Sequence, residues 1–194
     1  MKPASTAPAG EPLASVSRRS LAWLVDVSLV TVLIFVVVGA VDEVFGPTVR
    51  THPDAAALED VLAADVERVV LNALLATAIS VGYFVVTWAL LGGSPAQLAL
   101  RMRVRDRTDG EALPLGRALA RWILLFPPFA TVSALTAGLP VVGALVWGAA
   151  VVWYVVLLLT TARSETNQGL HDRIARSVVL RRGPEAAYRA AHVR

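Results

Sequence analysis

Four stretches of this chain are long and apolar enough to cross a bilayer: Leu21 to Val41, Val69 to Leu91, Ala118 to Ala137, and Leu139 to Ala162. About 20 predominantly apolar residues of helix span the hydrocarbon of a membrane, and each run is close to or above that length. A soluble core does not hold four such runs. With 56% hydrophobic residues and a mean hydropathy of +0.61, the chain is also too apolar for an ordinary soluble domain. The first run is too long for a signal-peptide core of about 7–15 residues, and it lacks a compact basic patch ahead of it. It reads as a retained span.

The basic residues set the expected orientation. Of 18 Lys and Arg, only Arg50 and Arg68 lie between runs one and two. That scarcity places the segment outside and puts both termini and the central loop in the cytoplasm. The expected architecture is therefore an all-α membrane protein with four transmembrane helices. Short interfacial helices and a two-stranded β element would lie on its cytoplasmic side. Pro127 and Pro128 fall inside run three, so that segment either spans with a kink or re-enters on the same side.

Domain boundaries follow composition. Residues 1–17, with Pro3, Pro8, Gly10 and Pro12, are expected to be a disordered tail, residues 18–182 the transmembrane domain, and residues 183–194 a flexible tail. Leu58, Val61, Leu62 and Val66 recur at helical spacing, which extends helix two outward over residues 54–67.

On the cytoplasmic side, Ser94 and Pro95 are an N-cap and first-turn pair that start a short helix. Strict alternation from Arg101 to Arg105 then reads as a strand, ended by a turn at Asp109 and Gly110. After run four, TNQGLHDRIA reads as a second short helix, and the β-branched SVVLRR as a second strand. The two strands are expected to pair, since an isolated strand leaves its backbone groups unmatched. The alternative is two irregular segments.

Charged residues inside the spans carry the functional information. Asp26 lies in run one, where a lone carboxylate at the centre of a membrane helix costs roughly 2.5–3.5 kcal/mol unless it is paired. Seven residues of α-helix turn about 700° and rise about 10 Å, so Arg19, Ala22 and Asp26 share one face. Arg121, near the start of run three, is the expected partner for Asp26, with Thr87 completing the network. Asp172, beside His171, stands where Arg19 can reach it. Asp26 would act either as a proton or cation relay or as a packing lock.

Three blocks together resemble the RDD family of bacterial integral membrane proteins. RRSLAWLVD carries Arg19, Ala22 and Asp26 at the family's spacing, GGSPAQLALRMRV is the second block, and NQGLHDRIARSVVL supplies Asp172. The second block departs from the pattern. Ala96 and Gln97 stand where the family typically shows a Gly and a basic residue, so a basic group's contact with phosphate or lipid is not expected there. The resemblance implies a multi-span inner-membrane protein, with some relatives proposed as cation/proton exchangers. Its signature cluster here is Arg19, Asp26 and Asp172, supported by Arg121 and His171.

Other features suggest partners rather than chemistry. Arg101, Arg103 and Arg105, with Arg107, alternate along one strand face and suit anionic lipid headgroups or simple topology anchoring. Trp23, Trp88 and Trp122 sit near helix ends as interfacial belt residues. Ala144 and Gly148 form a small-xxx-small pair that would seat a neighbouring helix or a second subunit in a homo-oligomer. The chain has no cysteine, and His52, His171 and His192 make no ligand set, so no metal or cofactor is expected. No nucleic-acid module and no catalytic motif appears, so an enzyme is not expected. The functional expectation is movement of a small cation or solute with proton coupling across a bacterial plasma membrane. The alternative is a non-transporting scaffold or accessory subunit that binds a partner protein or anionic lipid.

Overall fold

A computed structural model describes residues 12–46, 49–51, 62–64, 66–126, 140–164 and 166–181. The first apolar run lies in a 30-residue helix, α1 (Val16–Phe45), which stops at Gly46, where φ of +88° suits a residue without Cβ. Its buried residues, Ala22, Asp26 and Val30, are four apart and mark one stripe. Most of its remaining surface is apolar and open, with Phe35 at 73% exposure, as expected of a helix whose solvent is lipid.

The second run forms α2 (Val66–Val81), which continues without a break into a π-helical segment, Gly82–Leu91. That segment closes at Gly92, in the left-handed region with φ of +74°, whose N–H reaches back to the carbonyl of Thr87. The outward helical extension expected over residues 54–67 is corrected where it is described. Residues Leu62–Ala64 form a strand, β2, paired antiparallel with β1 (Val49–Thr51), and α2 begins only at Val66. The remainder of that stretch, residues 52–61, lies outside the described residues.

The polar end of the bundle is as compact as the spans are open. The expected short helix is α3 (Pro95–Ala99), entered through Ser94. The alternating segment is β3 (Met102–Asp106), and it pairs antiparallel with β4 (Ser177–Arg181), with Val104 opposite Val179. Met102, Val104 and Asp106 point inward and the arginines between them outward, which is the period-two pattern expected from the sequence. Of the expected N-terminal tail, residues 12–17 are described, and Val16 and Ser17 already belong to α1. Pro12 and Ala14 bond to the far edge of β4 through Arg181 N to Pro12 O (2.8 Å) and Ala14 N to Val179 O (3.0 Å). These contacts protect an otherwise open strand edge.

The third run begins as α4 (Leu115–Leu125), immediately ahead of Phe126 and the two prolines. Its apolar Leu115, Leu119 and Ile123 are exposed, while Ala118, Arg121, Trp122 and Leu125 face inward. Residues 127–139, which hold the prolines and the expected turn at Gly138, lie outside the described residues. The fourth run is α5 (Pro140–Arg163), followed by α6 (Leu170–Ile174). Ala144 and Gly148 are exposed on α5.

Among the described residues, three helices are long and apolar enough to cross a membrane: Val16–Phe45, Glu67–Leu91 and Val141–Arg163. The molecule is a mostly helical membrane protein with two small two-stranded sheets, β1–β2 and β3–β4. α5 joins the bundle through contacts that include a ring pair and a hydrogen bond. Tyr154 lies against Trp23 of α1 at 6.1 Å between ring centres, and Trp153 Nε1 donates to the carbonyl of Leu124 (2.8 Å).

Candidate functional site

The buried charges gather where α1, α3, α4 and α6 meet, and they sort into two clusters around two acids. Asp172, on α6, is fully buried. Arg19 of α1 donates to its Oδ2 and, through its other terminal nitrogen, to the carbonyl of Asn167. Arg121 of α4 pairs with Oδ1 at 3.1 Å, and the Ser177 hydroxyl of β4 donates to the same oxygen at 3.2 Å. His171 Nε2 lies 3.5 Å from Oδ2. One carboxylate thus ties together the first helix, the third run, the last short helix and the sheet.

The electrostatics of this cluster follow from that crowding. Burial alone would push the Asp172 carboxyl up, but the charges of Arg19 and Arg121 outweigh it and hold the group well below the usual carboxylate range. Burial pushes the His171 imidazole down from its ordinary 6.5 to about 4. Asp172 pulls it back up, but Arg121 and Arg19 add to the downward push. At neutral pH the cluster therefore holds two cations, one anion and a neutral imidazole.

Asp26 is in a different setting. It is 1% exposed, and its donors are neutral: the Tyr83 hydroxyl to Oδ1 (2.8 Å), the Ala96 N–H to Oδ1 (3.0 Å) and the Ser94 hydroxyl to Oδ2. The Ala96 N–H is one of the donors that a helix start leaves without an intrahelical partner, so the carboxylate of α1 caps α3 from outside. Ala22, fully buried one turn away, leaves room for α3 to approach. The pairing of Asp26 with Arg121 expected from their similar depth is thus corrected. Arg121 turns to Asp172 and lies over the Trp88 ring at 4.8 Å. Thr87 does not complete the network either, since its hydroxyl bonds back to the carbonyl of Tyr83 (2.6 Å).

A neutral bridge connects the two clusters. Trp88, under Arg121, donates its indole N–H to Gln97 Oε1 (3.1 Å), which also accepts the Ser94 N–H (3.0 Å). The side chain of Gln97 is therefore an acceptor at the start of α3, a role that a basic residue there could not fill. Trp88 and Trp122 are buried rather than interfacial, and Trp122 donates to the Ser80 hydroxyl at 3.0 Å. Trp23 is 37% exposed and lies against Tyr154.

Both clusters border a cavity of about 450 Å³ between α1, the π-helical segment, α4, α5 and α6. Arg19, Asp26, Arg121 and His171 are at its polar end, and Trp23, Phe84, Tyr154 and Leu157 are among its apolar walls. Among the described residues no group of three or more His or acidic side chains could hold a metal ion. The lipid-headgroup candidates do not line this cavity: Arg103 and Arg105 lie on the outward face of β3, and Arg101 lies in the turn just before it.

Fold and site together define a multi-span α-helical membrane protein whose polar end is locked by buried ion pairs. Residues 13–176 match the RDD family, and the chain belongs to that family. No curated protein and no solved structure matches it.

Proposed function

We propose that the protein moves a small solute across a bacterial plasma membrane, with both termini in the cytoplasm and the cavity as its binding site. One observation carries the reading: a cavity of about 450 Å³ bordered by all three long helices, with a buried acid in its wall. Specific small-molecule sites of about 300–1,000 Å³ commonly combine apolar walls with a few convergent polar groups. Asp26 is the proton-coupling group in this scheme. Among the described residues it has no cationic partner, and its bonds to Tyr83 and Ser94 can re-form by rotation of their hydroxyls if it takes up a proton. The orientation draws support from the clustering of arginines around α3, β3, β4 and α6.

A second reading has its own supporting observation. Three donors from two different segments occupy both Asp26 oxygens, which suits a fixed clamp in a non-transporting scaffold or accessory subunit. Flux of protons and of small cations or solutes in proteoliposomes, comparing the natural protein with Asp26→Asn, separates the two. Flux abolished in a folded Asp26→Asn variant supports coupled transport. Flux unaffected by it removes Asp26 from coupling, and absence of flux in the natural protein favours the accessory role.

A further inference from the structure

The cavity is asymmetric in a way that specifies its occupant. Leu24 of α1 and Leu158 of α5 both line it and are 58% and 56% exposed, which points to an opening between these two helices, whose other surfaces are apolar and open. Trp23, Phe84, Tyr154 and Leu157 give it aromatic and aliphatic walls, and Arg19 and Arg121 give it cationic ones. Arg19 and Arg121 share the single carboxylate of Asp172, and Arg121, 2% exposed, has no hydrogen-bond partner for its Nε–H among the described residues. Buried guanidinium donors are normally satisfied, and their preferred acceptor is a carboxylate or phosphate oxygen. Asp26 also borders the space, but its two oxygens are already engaged by Tyr83, Ala96 and Ser94.

Size narrows the choice further. At about 30 Å³ for each non-hydrogen atom, the share of a water molecule in the liquid, a volume of about 450 Å³ holds on the order of fifteen such atoms. That is one chain of medium length with a small headgroup, and far less than a two-chain phospholipid.

We propose that the cavity binds a single-chain monocarboxylate from the bilayer, a fatty-acid-like amphiphile, with its carboxylate at Arg19 and Arg121 and its chain between α1 and α5. The inference rests on the reading of the cavity as a solute site and names the class of solute. Entry is lateral: the chain leaves the lipid through the gap between Leu24 and Leu158 while the headgroup stays near the polar boundary. Each methylene moved onto the apolar walls trades lipid contact for protein contact, so the charged end supplies the selectivity.

The test is binding of radiolabelled dodecanoate to the full chain in nanodiscs of zwitterionic lipid at alkaline pH, measured against empty nanodiscs. Saturable excess binding that dodecanol does not displace is expected. Leu158→Trp, a change at an exposed rim position that keeps folding intact, should weaken binding by roughly tenfold through loss of chain volume. Arg121→Gln, or Arg19→Gln where the former does not fold, should abolish it. Binding no greater than in empty discs overturns the proposal, as does equal displacement by dodecanol or displacement by added phosphatidylglycerol. Dodecanoate binding without any flux supports the site and removes the transport reading. Flux of another solute without dodecanoate binding removes the proposal and leaves transport standing.

Discussion

The two buried acids of this chain are both almost completely shielded, yet they are stabilised in opposite ways. Asp172 is held by two guanidiniums, a hydroxyl and a nearby imidazole, whereas Asp26 is held by two hydroxyls and one backbone N–H. A carboxylate with two cations cannot be removed without leaving buried positive charge. One with neutral donors can be altered while its partners rearrange. The first arrangement suits a fastening, and the second a position that tolerates a neutral side chain.

That contrast makes its largest prediction at Asp172. Asp172→Asn keeps the volume but strands Arg19 and Arg121, and should cost about 3–5 kcal/mol, the usual penalty for breaking a buried pair from one side. Thermal unfolding in detergent and membrane abundance both report it. Little loss in either would show that the cluster is not a fastening.

The next effect comes from His171. Its folded-state pKa lies below the unfolded value, so below about 6.5 the unfolded chain takes up a proton that the folded chain refuses, and stability falls as pH drops towards about 4. Asp172, also depressed by its arginines, keeps its contribution above the ordinary carboxylate pKa and loses it only at more acid pH. A His171→Gln variant should therefore flatten the unfolding profile between about pH 6.5 and 4, while a profile as steep as that of the natural protein would contradict the buried neutral imidazole.

Asp26→Asn should cost less than either, about 1–2 kcal/mol. The amide oxygen can keep the Ala96 N–H and the Tyr83 hydroxyl, and the amide nitrogen can donate to Ser94, so a loss equal to that of Asp172→Asn would erase the distinction. Ser177→Ala should be the mildest change, about 1 kcal/mol, because Asp172 retains both arginines. A loss of several kcal/mol would mean that the hydroxyl, and not the ion pairs, secures β4 to α6.

Much of this arrangement was legible in the residues, and the failures have physical causes. Hydropathy located the long helices, Ser94 and Pro95 located α3, and period two located β3. The spacing of Arg19 and Asp26 on one helix face, with the match of the last block to RDD proteins, brought Arg19 to Asp172. Matching Arg121 with Asp26 failed because depth in the membrane does not determine which way a helix face turns. Nor could residue identity show that a backbone N–H, at Ala96, would take the place of a cation. Tyr83 and Thr87 are four apart and equally able to face Asp26 in a helix, but Thr87 satisfies itself on its own backbone and leaves the phenol of Tyr83 for the acid. The π-helical turn that carries both leaves no mark in composition.

The most direct test is a pair of double-mutant cycles on unfolding free energy, combining Arg121→Gln first with Asp172→Asn and then with Asp26→Asn. Contact between Arg121 and Asp172 predicts a coupling of about 1–3 kcal/mol in the first cycle, and additivity within about 0.5 kcal/mol in the second. The reverse pattern, with Arg121 coupled to Asp26 and independent of Asp172, would contradict the division of labour between the two acids.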